Sequence, residues 1–253
     1  AAERVSLAID KGINYFDVAP TYGNAQYRMG PALEPYRKKV FLACKTTKRT
    51  AAEASAELEE SLTLLRTDFF DLYQLHAVTT LEEVDTIFSP GGAMETFERA
   101  REDGKIRFIG FSAHSAEAAL ALLDHYKFDS ILFPVNYACG HAGNFGPQVL
   151  EKARQNGAGI LALKSMAKGP WPEGTEKIPK CWYEPLTQPD EMLQALRFTL
   201  SHPVTAAIPP GNEDLFFRAL DLIGQFSPMS PEEIEQIKVK GSNQVPLFKY
   251  TQA

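Results

Sequence analysis

The chain has 253 residues, 44% hydrophobic and 23% charged, ample for one sizeable core. Its formal charge of −6 at pH 7 argues against a nucleic acid or an anionic membrane as the main partner, because both call for a basic face. No apolar run approaches the roughly 20 residues of a spanning helix, and three widely spaced cysteines (Cys44, Cys139, Cys181) suit a reducing, cytoplasmic setting better than a disulfide framework.

Two periods alternate along the chain. "AAERVSLAIDKG" sets Val5, Ala8 and Ile9 at helical spacing and stops at Gly12, a C-terminal cap. Because the chain opens directly on this helix, an export segment upstream is left open. "INYFDVAP" reads as a strand, as does "KKVFLACKTT". Thr50 to Arg66 reads as a helix with a Thr50/Glu53 capping box and with Leu58, Leu62 and Leu65 on one face. The strand "FDLYQLHAV" follows, then the helix "AMETFERAREDGK", the strand "IRFIGFSAH", and a helix capped by Ser115. "SILFPVNYA" and "AGILALKSM" are strands around the helix "FGPQVLEKARQNG". After a long loop come the helix "PDEMLQALRFTLSH", the strand "VTAAIPPG", and helices beginning near Asn212 and Ser230.

Seven strand–helix repeats with apolar strands are the signature of a parallel sheet wrapped by helices. A TIM (β/α)8 barrel needs eight strands, and the shortfall lies at the front, where the first helix should follow a strand. A seven-stranded barrel would leave two unpaired edges. The expectation is one α/β domain over residues 1–253, a TIM barrel lacking its first strand in this chain. Lys168 to Asp190 is proline-rich but too apolar for a linker, and reads as a long βα insertion of the kind that shapes a pocket. Its Trp171, Trp182 and Tyr183 are read as pocket wall in preference to loop packing.

Asp17, Lys45 and His76 each end an apolar strand, and Tyr22 sits on the loop after the first. That end of a parallel barrel is where active sites are built. Singly, Asp17 reads as a turn cap, Tyr22 as a loop residue and Lys45 as a solvated strand end; together they have a mechanism. A phenol titrates near 10, and an ammonium beside it stabilises the charge left when its proton departs. A partly buried lysine needs a carboxylate, and Asp17 is placed to be it. A histidine polarises a carbonyl by hydrogen bonding. The set suits proton delivery to a carbonyl oxygen while a cofactor delivers hydride to the carbon, since no side chain donates hydride.

The motifs "NYFDVAPTYGNAQ", "VFLACKTT", "DLYQLH", "GKIRFIGFSAHS" and "GILALKSMAKG", in this order, resemble the aldo-keto reductases over nearly the whole chain. The resemblance implies a TIM barrel that reduces a small-molecule aldehyde or ketone with an extended nicotinamide cofactor, and the family's tetrad falls on Asp17, Tyr22, Lys45 and His76. Histidine rather than glutamate at 76 implies carbonyl rather than steroid double-bond reduction. Ser112 and Asn136 stand where the family holds the nicotinamide carboxamide, although both also suit satisfying backbone groups. Leu163, followed by Lys164, occupies the place of the aromatic residue that often stacks on the nicotinamide. Ala113-His114 replaces the usual Asn and resembles certain bacterial branches. Gly211 and Asn212 are placed for backbone contact with the cofactor and Arg218 is the nearby cation, but Glu213 and Asp214 oppose a 2′-phosphate. By the family's habit, which the resemblance carries over, NADP(H) is preferred, with NAD(H) as the alternative.

Cys139, His141 and Cys181 lack a fourth ligand and a recognised zinc spacing, so no metal is expected. Two other functions stay open: a Schiff-base aldolase using Lys45 or Lys164, and a nicotinamide-binding, redox-sensing subunit without turnover. Sugars, small aldehydes and quinones all suit the carbonyl reading, and the oligomeric state is not encoded in any motif.

Overall fold

The computed structural model describes residues 1–250, so the last three residues of the expected domain lie outside the described residues. The chain divides into two compact units, Ala1–Ser130 and Ile131 onward.

The first unit opens with α1 (Ala2–Asp10), which buries Val5 and Ala8 and stops as anticipated: Lys11 is the C-cap and Gly12 adopts φ +91°. Strand β1 is only Tyr15–Asp17. Helix α2 (Ala25–Leu33) and a 3₁₀ segment over Glu34–Lys39 were not anticipated, since Gly30-Pro31 breaks the helical signal in sequence. There follow β2 (Phe41–Thr46), α3 (Ala51–Leu65), β3 (Phe70–Val78), α4 (Leu81–Phe88), α5 (Ala93–Glu102), β4 (Ile106–Ala113) and α6 (Ala116–His125). Leu58, Leu62 and Leu65 are buried on α3 as expected. The expected Thr50/Glu53 box does not form: the Thr50 hydroxyl donates to the Glu53 carboxylate at 2.6 Å and accepts no backbone N–H. Capping boxes instead start α4, through Thr80 and Glu83, and a later helix, through Ser230 and Glu233. Strands β1 to β4 lie side by side in chain order, all parallel, with Asp17 opposite Ala43 and Lys45 opposite Gln74. A register shift between Leu75 and Val78 puts a bulge at the end of β3.

The second unit continues from β5 (Ser130–Pro134) through α7 (Tyr137–His141), α8 (Pro147–Gln155), β6 (Gly159–Leu163), β7 (Ala167–Gly169), β8 (Glu184–Pro185), α9 (Pro189–Leu200), β9 (Ala206–Ala207), α10 (Glu213–Ile223) and α11 (Pro231–Ser242). Three expectations change here. The strand expected over 130–138 stops at Pro134, because the Asn136 carboxamide oxygen accepts the N–H groups of Ala138 and Cys139 and starts α7. The strand expected over 204–211 shrinks to β9, which pairs in parallel with β6 before Pro209 and Pro210 end any ladder. The long insertion is not simple loop: β7 and β8 pair antiparallel across it, Ala167 opposite Pro185. Its Trp171 and Ile178 pack against a cluster that includes Cys181, Leu186, Met192, Leu196 and Phe198.

Among the described residues no helix is long and apolar enough to cross a membrane.

Candidate active site

Asp17, Tyr22, Lys45 and His76 all lie in the first unit, and the fold brings them together. Lys45, fully buried on β2, forms an ion pair with Asp17 at the end of β1. The same ammonium donates to the Tyr22 hydroxyl oxygen at 3.3 Å and lies 4.9 Å from the centre of its ring. Tyr22 reaches this place because its N–H bonds back to Ala19 O at 3.0 Å, turning the loop over the strand end. The ring of His76 meets that of Tyr22 edge-on, with centroids 5.6 Å apart. Tyr22 is 46% exposed whereas Lys45 is sealed, so the phenol is the member of the pair that faces solvent.

Burial works against the charge of Lys45, yet the charge of Asp17 and contact with Tyr22 outweigh it and hold the lysine above its ordinary value. It is therefore an ammonium at neutral pH.

Two neighbours that sequence reading overlooked complete the carboxylate's surroundings. Tyr15 donates its hydroxyl to Asp17 Oδ2 at 3.0 Å, and Gln74 donates its Nε2 to the same oxygen at 3.3 Å. Their signal is the two-residue period of a strand, which puts Tyr15 on the face of Asp17 and Gln74 on the face of His76. Burial, reinforced by the charge of Asp17, drives the ionisation of Tyr15 far above the ordinary phenol range.

His76 stands on the bulge. Ala77 takes φ +53°, uncommon for a residue with a side chain, and its N–H donates to Ser112 Oγ at 2.7 Å. Arg49 donates to the carbonyl of His76 at 2.7 Å and pairs with Glu83 at the start of α4. Bulges beside active sites re-aim side chains in this manner. Thr21 Oγ1 lies 3.4 Å from His76 Nδ1; when the hydroxyl donates there, the ring proton sits on Nε2.

A buried ammonium between a carboxylate and a half-exposed phenol, with an imidazole at the ring edge, is chemically able to give a proton to an oxygen. The sequence profile of the Aldo/keto reductase family matches residues 1–185. The chain belongs to the aldo-keto reductase family. An aldo-keto reductase of Bacillus subtilis, YhdN, is 34% identical over 129 residues, which cover 46% of this chain and 37% of that protein. The L-galactose dehydrogenase of Arabidopsis thaliana is 26% identical over 196 residues, covering 72% of this chain and 59% of the plant protein. The matched stretches thus span 37% and 59% of these relatives' lengths, less than two thirds of either. Among solved structures, the holo form of an aldo-keto reductase from Bacillus halodurans superposes with a TM-score of 0.74 at 23% identity, over 99% of this chain and 88% of that one. A Bombyx mori aldo-keto reductase in complex with NADP gives 0.70 at 18% identity, over 94% and 81%. These likenesses show the fold alone, and it is the TIM-barrel fold that the strand–helix alternation predicts.

The remaining residues of interest in this aldo-keto reductase, apart from Ser112, lie in the second unit. The Asn136 side chain is fully engaged there: besides capping α7, its amide donates to Lys164 O at 3.0 Å and Ala167 O at 2.8 Å. Lys164 takes φ +63° just past Leu163, which ends β6. Its ammonium lies 4.9 Å from the Trp182 ring centre and 5.1 Å from that of Tyr183, so the insertion folds back over the end of β6. Of the three aromatics on the insertion, Tyr183 is buried, Trp171 is half-buried and donates to Cys181 O at 2.9 Å, and Trp182 is exposed. The insertion also reaches the loop before α10. Asn212 caps Leu215 N–H and donates to Pro179 O at 3.3 Å, and a Cβ at Gly211 would sit 3.4 Å from Lys180 O. Lys180 is thereby carried close to Gly211 and Asn212 from thirty positions away, which no local pattern reveals. Arg218, on α10, donates to Thr187 O at 2.5 Å.

Proposed function

We propose that this chain reduces an aldehyde or ketone to an alcohol with a nicotinamide cofactor, NADP(H) in preference to NAD(H), and that Tyr22 is the general acid. The observation that carries the reading is the Lys45 ammonium, buried and paired to Asp17, 3.3 Å from the oxygen of a phenol that is 46% exposed. A bound nicotinamide supplies the hydride. Tyr22 gives its proton to the substrate oxygen, and the negative charge left on the phenol is stabilised by Lys45. Asp17 keeps that ammonium in place at modest cost, since a buried charge without a partner is strongly disfavoured. His76, protonated at Nε2, donates to the carbonyl oxygen and orients it.

The donor set suits a nicotinamide cofactor. Ser112 Oγ accepts from Ala77 and does not spend its own proton in that bond, so it has a donor for a carboxamide. Asn136, committed to backbone groups, would act by holding the turn at Lys164 and Ala167. Leu163 and Lys164 close the end of β6, and Gly211 and Asn212 offer backbone at the start of α10. Lys180 and Arg218 are the cations that favour a 2′-phosphate, set against Glu213 and Asp214 in the first turn of α10. Of the three insertion aromatics, Trp182 is the exposed one and so the candidate for meeting a substrate, whereas Trp171 and Tyr183 pack inward. Three buried, unpaired thiols suit a reducing, cytoplasmic setting. The aldolase alternative gains nothing from Lys45, whose ion-paired ammonium is no nucleophile at neutral pH.

The test is oxidation of NADPH by purified protein over a panel of aldehydes, ketones, sugars and quinones. Tyr22→Phe should lower turnover by about 10²- to 10⁴-fold, the usual worth of a general acid, with NADPH affinity unchanged. Reduction by Tyr22→Phe at the wild-type rate sinks the assignment.

A further inference from the structure

Asp17 is bound on both of its oxygens, and the two sets of donors differ in kind. Oδ1 meets the Lys45 ammonium, while Oδ2 accepts from two neutral donors, the Tyr15 hydroxyl at 3.0 Å and the Gln74 amide at 3.3 Å. We propose that Tyr15 and Gln74 are positioning residues for the reduction: by occupying Oδ2 they commit Oδ1 to Lys45 and set how much of the ammonium's charge remains for Tyr22. This rests on the roles given above to Tyr22 and Lys45.

Three observations carry it. Gln74 is fully buried, and its Oε1 has no hydrogen-bond partner among the described residues. An apolar side chain would avoid that cost, so the amide is worth keeping only for its other end. The opposite flip would set Oε1 against the carboxylate, which leaves Nε2 facing Asp17 as the sensible orientation. Register supports the placement, because Gln74 lies directly opposite Lys45 across β2 and β3. Tyr15 is distinguished from Tyr22 by burial: it stays a neutral donor throughout the working pH range and does not compete as a proton source. Its ring stacks on Phe41 with centroids 5.6 Å apart, which fixes the hydroxyl over the carboxylate.

The groups facing Asp17 are thus Tyr15 from its own strand, Lys45 from β2 and Gln74 from β3, with Tyr22 on the far side of Lys45. Without the neutral donors, the carboxylate's charge falls wholly on the ammonium. Lys45 then stabilises the Tyr22 oxygen less, and the phenol gives up its proton less readily.

The experiment compares Tyr15→Phe, Gln74→Met and the double variant with wild type, using NADPH and 4-nitrobenzaldehyde, and follows kcat, KM for NADPH and the pH profile. Tyr15→Phe keeps the stacked ring and removes one oxygen, so it reports even if Gln74→Met folds poorly. The expected result is a fall in kcat of roughly tenfold in the double variant, about the weight of one hydrogen bond to a charged group. KM for NADPH stays constant, and the alkaline limb of kcat/KM moves up by about half a pH unit. A merely structural role lowers the melting temperature and leaves that limb where it was; this outcome, or wild-type kcat in both single variants, overturns the inference while Tyr22→Phe still reports on the proton source. A wild-type chain that turns over no carbonyl overturns the underlying reading and this inference with it.

Discussion

The ammonium of Lys45 stands 3.3 Å from the hydroxyl oxygen of Tyr22, although one side chain is fully buried on a strand and the other is 46% exposed on a loop. The charge is held inside by Asp17 and bears on a phenol at the surface. Low dielectric around Lys45 keeps its field from being screened before it reaches the phenol.

Removing the two ends of the ion pair should have unequal costs. Asp17→Asn leaves a fully buried ammonium without its carboxylate and should cost about 3–5 kcal/mol in urea unfolding at neutral pH. Lys45→Met should cost less, because Asp17 keeps two hydrogen bonds and some exposure. Equal losses, or the reverse order, would contradict the assignment of the two oxygens.

The same pair makes a prediction with a definite sign. The folded-state value of Lys45 is raised, since Asp17 and Tyr22 outweigh burial. Its contribution to stability is therefore complete below the unfolded lysine value of about 10.4 and is lost as pH rises through the higher folded value. Unfolding free energies of wild type and Lys45→Met should converge at strongly alkaline pH. A gap that widens there would show that the ammonium is not the stabilised form.

Arg49, paired to Glu83, holds the carbonyl of His76 rather than its ring. Burial opposes the charge of Glu83, but the Thr79 N–H and Arg49 prevail and keep its carboxyl below the ordinary range. The contribution of Glu83 is present above the unfolded value of about 4.3 and is lost as pH falls through the lower folded one. Arg49→Met should reduce kcat several-fold and lower the melting temperature at neutral pH, a loss that shrinks as pH falls through the Glu83 value, read out by steady-state kinetics beside thermal scans at several pH values.

At Ala77 the backbone is left-handed, with φ +53°. Ala77→Gly relieves that strain and should leave stability unchanged or raise it by about 0.5–1 kcal/mol. Ala77→Val, with a branched side chain in the same conformation, should lose more than 1 kcal/mol, roughly the cost of such strain, and lower kcat with it by moving His76. Calorimetry and turnover measured on both variants decide this.

Cofactor choice is open to a direct test at the loop before α10. Neutralising both cations, as Lys180→Gln with Arg218→Gln, should reduce kcat/KM with NADPH relative to NADH by about tenfold or more, the value of charge pairing with a phosphate. An unchanged ratio would place the 2′-phosphate elsewhere or favour NADH.

Strands were the most legible elements. "FDLYQLHAV" coincides with β3 over Phe70–Val78, a strand whose burial is nearly continuous. Helix α2 was hidden by Gly30-Pro31, and Gly30 is there for a tertiary reason: a Cβ would come within 2.2 Å of Leu64 O. The Thr50/Glu53 and Thr80/Glu83 signatures look alike in sequence, yet only the second forms a box. Which hydroxyl turns toward the backbone depends on competing partners, and those are not written locally.

By itself the sequence determined the alternation of strand and helix, and it determined that an acid, a lysine and a histidine lie at or near the ends of three successive strands with a phenol just beyond the first. Period, propensity and strand-end polarity are local properties, legible within a few residues. Only the tertiary structure decided that Tyr22 rather than Tyr15 faces solvent, that Gln74 shares Asp17 with Lys45, that Ala77 bulges beneath His76, and that the insertion carries Lys180 to Gly211. Each of these turns on burial and on rivalry for hydrogen bonds between segments far apart in the chain, and such rivalry is settled only when the segments meet.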